Sequence, residues 1–352
     1  MKVLRYYDRH TLKMEDWPVP DIGEDEVLVE TRACGICASD ILDWYREPKA
    51  PTFLGHEPAG VIVKTGSSVQ NLKVGDRVFV HHHVPCFVCR YCRAGEFSMC
   101  PDFRASHIYP GGFAEFIKVP GENVRKGLLL LPENVSFVEA TLVEPLACCI
   151  QAFKRSLFKR GDTVLVVGAG FNGLALTQLA RIYGAGAVLV SEPDPFRREL
   201  AFSLGVDAVI DPNQEDVAEV LKEQNKGYLA DVVFVTPPFP KAIEGAINCL
   251  ERGGRLLLYA PSQPGEKVSL EINSFYFSHL TIRASYSASP LDTREALSLL
   301  EKGLIKTDLL INCVLPFSQF QEAFWKVRND KKVIKCVLTF EKKLVSEVGR
   351  TR

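Results

Sequence analysis

Up to about residue 145 the apolar positions fall in short runs. EVLVETRAC, AGVIVKTG, DRVFVHHH and FAEFIKVP are rich in Val and Phe and are broken by Gly and Pro, which predicts a β-rich domain. Near residue 150 the pattern changes. TVLVVG reads as a strand, NGLALTQLARIYG as a helix ending in Gly, AVLVS as a strand, and PFRRELAFSLG as a helix that opens on Pro and closes on Gly. DAVI, DVVFV and RLLLYA follow as strands with helical stretches between them. Strict alternation of this kind predicts a parallel sheet covered by helices on both faces, an α/β architecture. After about 285, TREALSLLEKG and FSQFQEAFWKV have helical spacing, and VIKCVLTF closes the pattern as a strand.

Composition narrows the field. A chain of 352 residues holds two domains of ordinary size. Lys and Arg total 42 against 43 Asp and Glu, so no basic excess points to nucleic acid as a partner. No apolar run approaches the roughly 20 residues of a membrane helix. The start, MKVLRYYDRH, turns charged too early for a secretory signal, and the expectation is a cytoplasmic protein. In a reducing compartment, 11 cysteines suggest metal binding where they cluster. Cys148, Cys149, Cys249, Cys313 and Cys336 lie in apolar surroundings and are expected to be buried small hydrophobes.

TVLVVGAGFNGLALTQLA carries Gly168, Gly170 and Gly173 as G-x-G-x-x-G between a predicted strand and a predicted helix, the context that a dinucleotide needs. Gly168 permits the tight turn, Gly170 the approach of a pyrophosphate, and Gly173 close packing of helix on strand. The helix N-terminus supplies N–H groups for the phosphates. Glu192 ends the next strand, where a carboxylate binds ribose hydroxyls, favours NAD and repels the extra phosphate of NADP. Arg197 is placed to cover the adenine or to offset that repulsion. Asn172 in the motif, Ala260 after RLLLY and Tyr286 complete the expected cofactor-binding set.

The stretch HHHVPCFVCRYCRAGEFSMC holds Cys86, Cys89, Cys92 and Cys100 as C-x2-C-x2-C-x7-C. Four thiolates make a closed, structural zinc site with no position for substrate. An iron–sulfur cluster is the alternative, since C-x2-C-x2-C resembles a ferredoxin run and Pro101 follows Cys100; the last spacing is x7 rather than x3. An open metal site must use other residues. GICASD offers Cys37, Ser39 and Asp40, GHEPAG offers His56 and Glu57, and VEPLACC offers Glu144. A thiolate, an imidazole and one or two carboxylates suit zinc with a vacant position.

In the order CGICASD, GHEPAG, VGDRV, the four-cysteine lobe, GGFAEF, VEPLA and GAGFNG, the sequence resembles the medium-chain, zinc-dependent alcohol and polyol dehydrogenases over nearly its whole length. The resemblance implies a GroES-like catalytic domain (1–149 and 286–352, with a structural zinc lobe at about 84–102) and an inserted Rossmann domain (150–285). It implies two zinc ions per chain, NAD, and an active site in the cleft. It further implies that Cys37 and His56 bind the catalytic zinc with Glu57 or Glu144, that Ser39 passes the alcohol proton outward, and that Asp40 orients the ligand histidine. Glutamate at position 144 places the chain nearer the sorbitol, threonine and glucose dehydrogenases than the ethanol branch.

The chain departs from that pattern at three places. Leu42 stands where many relatives have a relay histidine, with Asp43 next to it. ASYSASP, with Ser287 and Ala288, lacks the arginine with which sorbitol dehydrogenases bind polyols. The segment from Asp40 to His56 is short, with Trp44 and Tyr45 as candidate pocket wall. His82 and His83 are further candidates to touch substrate. The expected function is hydride transfer between NAD and a secondary alcohol: a polyol, a sugar derivative or an amino alcohol. A threonine-dehydrogenase-like oxidoreductase is the second reading, and a non-catalytic nucleotide-binding protein that has kept the fold is the third. The expected partners are a small-molecule alcohol and further copies of the chain, as dimer or tetramer, with no nucleic acid and no membrane.

Overall fold

The computed structural model describes residues 1–341. The chain forms two compact units. One comprises Met1–Ala147, Ala288–Gly303 and the chain from Ile311, and the other comprises Cys148–Ser287 with Leu304–Leu310.

The second unit is built on a six-stranded parallel sheet. Its order is Ala208–Ile210, Ala187–Ser191, Thr163–Val167, Ala230–Val235, Leu250–Leu258, Thr281–Ala284. Numbered along the chain, that order is 3-2-1-4-5-6, with the reversal beside Thr163–Val167. TVLVV and ADVVFV carry unbroken apolar runs because helices cover both faces of the sheet. Leu165, Leu189, Val233 and Leu256 are buried in one continuous cluster with Ile243 and Ala246 of the helix Pro240–Ile247. Helix boundaries follow local chemistry. Asp194 accepts from Arg197 N–H and Pro195 follows it, which starts the helix Pro195–Ser203. Gly184, at φ +85°, ends the helix Phe171–Tyr183 in the left-handed region that a side chain disfavours. Leu304–Leu310 joins this unit, with the Lys306 N–H donating to Gln178 Oε1 at 2.7 Å.

The first unit is β-rich. A larger sheet runs Cys313–Pro316, Cys336–Thr339, Val27–Gly35, Pro58–Thr65, Arg77–Val80, Leu128–Leu130, and Phe116–Val119 pairs with Val27–Gly35 off that path. A smaller sheet joins Thr11–Asp16, Lys2–Asp8 and Thr52–Phe53. The nine-residue strand Val27–Gly35 is the organising element. Its first half pairs with Phe116–Val119, and its last residues pair with the late strand, Cys34 opposite Leu338 and Gly35 opposite Val337. That register brings residues near 335 beside residues near 37. Leu4, Cys34, Leu54, Phe113 and Leu338 form the core behind the junction.

Candidate metal centres and nucleotide loop

In the cysteine lobe the Cys86 and Cys92 sulfurs lie 3.8 Å apart, Cys89 and Cys92 3.6 Å, and Cys86 and Cys100 3.6 Å. Zn–S bonds of about 2.3 Å in a tetrahedron require S···S edges of about 3.8 Å, so the four thiols fit a closed zinc site. The Val88 and Cys89 N–H groups donate to Cys86 Sγ and lower its thiol to about 7. Phe87, at φ +67°, makes the turn that aims both donors inward. Phe103, Phe97 and the cysteines themselves supply the small apolar core of the lobe.

The second group is Cys37, His56 and Glu57, whose ligand atoms lie within 4.8 Å of one another. Each sits just beyond a strand end or at a strand start. Cys37 follows Val27–Gly35, and His56 and Glu57 precede Pro58–Thr65. Gly35 makes room for them, since a Cβ there would meet Glu57 Oε2 at 1.9 Å. Asp40 is buried and organises one side. It accepts the Cys37 N–H at 3.0 Å and Arg46 Nη2 at 2.9 Å, and its Oδ1 lies 3.6 Å from His56 Nδ1. Burial alone would raise the Asp40 carboxyl, but His56, Arg46 and the Cys37 N–H hold it at about 2. Burial likewise pushes the His56 imidazole down, and the negative charges of Asp40 and Cys37 outweigh it, so it rises well above its usual value. Such a pocket attracts a cation, and its donor set is that of an open zinc site.

Lys335 forms the other side. Its Nζ lies 2.6 Å from Glu57 Oε1 and 2.5 Å from Oε2, and the pair is buried. Burial lowers the Lys335 amine, but Glu57 and then Cys37 more than compensate and raise it, with Glu144 contributing the same way. Glu144 is buried in the first turn of the helix Val143–Arg155 and is not among the ligand atoms grouped within 4.8 Å. Ser39 shares the Arg46 guanidinium, which donates from Nε to Ser39 O at 2.7 Å and from Nη2 to Ser39 Oγ at 3.3 Å. Asp43 is turned away to Arg328, 2.9 Å off. Trp44 packs edge-on to Tyr45 in the short helix Asp43–Arg46.

The His82 ring centroid lies 5.1 Å from that of His56 and 4.1 Å from that of His83, and its Nδ1 is buried without a hydrogen-bond partner. Burial, then the neighbouring imidazoles, keep His82 well below its usual value. His83 Nδ1 is held 2.5 Å from Ser106 O. His81 is fully buried against Ala288 O at 3.2 Å. Lys335 and Arg46 are site residues that the sequence reading missed. A lysine in the apolar run VIKCVLTF was the available signal for the first, and nothing local marks the second.

In the other unit, Gly168 (φ +91°) closes the turn after Thr163–Val167, and a Cβ on Gly173 would meet Gly168 O at 1.8 Å. Glu192 is buried. Its Oε2 accepts the Ala169 N–H at 2.6 Å and its Oε1 the Asp194 N–H at 2.9 Å, so the carboxylate is fixed against the glycine loop. Asn172 Oδ1 accepts the Tyr259 hydroxyl at 3.2 Å, Arg197 Nη1 lies 3.8 Å from where a Gly170 Cβ would be, and Tyr286 is exposed. Ala260 follows the strand Leu250–Leu258 and is half-buried.

Residues 23–132 match the family model described as alcohol dehydrogenase GroES-like domain, and residues 173–302 match that described as zinc-binding dehydrogenase. The chain is 32% identical to a sorbitol dehydrogenase of Bacillus subtilis (strain 168), over 92% of each chain. It is also 32% identical to an L-threonine 3-dehydrogenase of Caldanaerobacter subterraneus subsp. tengcongensis, covering 91% of this chain and 93% of the relative. Among solved structures, one described as a short chain alcohol dehydrogenase from E. coli CFT073, complexed with NADH, superposes with a TM-score of 0.86 at 27% identity, over 97% of this chain and 99% of that one.

Proposed function

The chain belongs to the zinc-dependent medium-chain dehydrogenase family, and on that premise we propose that it oxidises a secondary alcohol, in the polyol and sugar-derivative class, with NAD. The observation that carries the reading is the gathering of Cys37, His56 and Glu57 in a pocket kept open by Gly35. Cys37 and His56, with Glu57 or Glu144, would hold the catalytic zinc, and Cys86, Cys89, Cys92 and Cys100 the structural one. When bound, zinc supplies Lewis acidity to the alcohol oxygen and NAD supplies the hydride acceptor.

The protein's own groups do the placing. Asp40 faces His56 Nδ1, which would leave the other ring nitrogen to a metal, and Arg46 fixes Asp40. Lys335 holds Glu57 in an ion pair and thereby limits how much negative charge meets the metal. Ser39 receives the alcohol proton. Leu42 carries no titratable group and Asp43 is tied to Arg328, so the proton leaves by Ser39 rather than along the helix Asp43–Arg46. His82 offers its unpartnered ring nitrogen to a substrate hydroxyl. The Gly168–Gly173 turn and the helix behind it receive the pyrophosphate, and Glu192 binds the ribose hydroxyls and disfavours NADP. A threonine-dehydrogenase-like reading has the threonine relative and His83 in its favour, but His83 Nδ1 is already committed to Ser106.

The test is NAD+ reduction over a panel of polyols, sugar alcohols, inositols and threonine, each beside a Cys37→Ser control. Turnover of a polyol by the native enzyme alone supports the reading. Turnover of threonine alone, or equal rates in the control, overturns it.

A further inference from the structure

Two cysteines outside both metal groups face each other. Cys313 opens the strand Cys313–Pro316, Cys336 opens Cys336–Thr339, and the two are direct register partners in a parallel pair. Their sulfurs lie 2.7 Å apart. Neighbouring strands run about 4.8 Å apart, within the Cα separation of about 4.4–6.8 Å that a disulfide accepts. The expectation that both are buried holds only for Cys336, which is fully buried, whereas Cys313 is partly exposed. Cys313–Pro316 is the edge strand of its sheet, and a bond here would tie that edge to the strand within. The location matters, because Lys335, the partner of Glu57, immediately precedes Cys336, and Cys336 O accepts the N–H of Ile36, next to Cys37.

We propose that Cys313 and Cys336 form a reversible disulfide, with Cys313 the thiol that meets a low-molecular-weight disulfide and Cys336 the one that resolves it. The Cys313 thiolate attacks one sulfur of RSSR, the S–S bond breaks, and RS⁻ leaves and takes up the proton that Cys313 gave up. Cys336 sulfur then attacks Cys313 sulfur in the mixed disulfide, loses its proton, and expels the second RSH. Two protein thiols are oxidised and one RSSR is reduced to two RSH. The order follows from access, since a low-molecular-weight disulfide reaches the partly exposed Cys313 and not the buried Cys336. Oxidation pins the strand that follows Lys335 to the sheet edge, and a thiol reductant releases it.

The experiment treats the zinc-loaded enzyme with oxidised glutathione, alkylates it in denaturant without reduction, and maps the peptides by mass spectrometry. The expected result is a peptide pair joined through Cys313 and Cys336 that dithiothreitol separates and that is missing from Cys313→Ser. Cys336→Ala is expected to keep one glutathione on Cys313. Amide exchange across Cys336–Thr339 should slow on oxidation in the native chain and stay unchanged in Cys313→Ser. Recovery of both cysteines alkylated after oxidation, glutathione retained on Cys313 of the native chain, or Cys313 joined to another cysteine would each overturn the proposal.

Discussion

At the scale of single residues, the group formed by Cys37, His56 and Glu57 depends on the side chains that sit behind it. Lys335→Met leaves the Glu57 carboxylate buried without its cation, and breaking a buried pair from one side costs about 3–5 kcal/mol. Urea denaturation is expected to show that loss, and the double variant with Glu57→Gln to recover much of it. A single variant as stable as the native chain would contradict the assignment. His81 gives a pH dependence. Burial lowers it from 6.5 to about 4 in the folded chain, against the hydrogen bond to Ala288 that pulls it up. The unfolded chain therefore takes up that proton first as the medium is acidified. The contribution is complete above the unfolded value of 6.5 and is lost as pH falls through about 4, on the order of 3 kcal/mol. Denaturation midpoints across that interval check it, with the His81 ring followed by NMR. Cys37, His56 and Glu57 were legible because each lies in a short motif with its neighbours fixed by the chain. Lys335 and Arg46 were not, because their partners come from sheet register and a helical turn rather than from spacing.

At the scale of elements, the strand–turn–helix around Gly168 was readable almost entirely. Gly168, at φ +91°, and Gly173 have no alternative there, and for Gly173 the structure shows the reason in the 1.8 Å approach of its Cβ to Gly168 O. Gly173→Ala should push the helix Phe171–Tyr183 off its strand and abolish NADH binding, seen as loss of nicotinamide fluorescence enhancement. An unchanged affinity would mean that the loop does not hold the dinucleotide. The lobe makes a comparable case. Its few apolar residues cannot close a core, so Cys100→Ser is expected to remove one zinc per chain and to raise amide exchange across about 86–105, while Thr163–Val167 stays protected. Metal analysis and exchange mass spectrometry read the two effects. The pairing of Cys313 with Cys336 was hidden from the sequence because apolar neighbours mark a residue as buried without saying which strand lies beside it.

At the scale of the molecule, the alternation of strands and helices after residue 150 fixed the parallel sheet, and its order needed only the rule that such sheets reverse beside their first strand. The β-rich unit was less legible. Its larger sheet collects strands from residues 27 to 339, and pairing over such separations leaves no local trace. That arrangement bears on how the protein is made. Synthesis runs from the N-terminus at roughly 5–20 residues per second, and domains condense as they emerge. Cys37, His56 and Glu57 leave the ribosome well before Lys335, which comes 278 residues after Glu57, and the strand that closes beside Gly35. Over that interval the nascent chain carries an acidic, thiol-bearing pocket with one wall missing, and a chain truncated anywhere between Glu57 and Lys335 is one in which that wall never arrives.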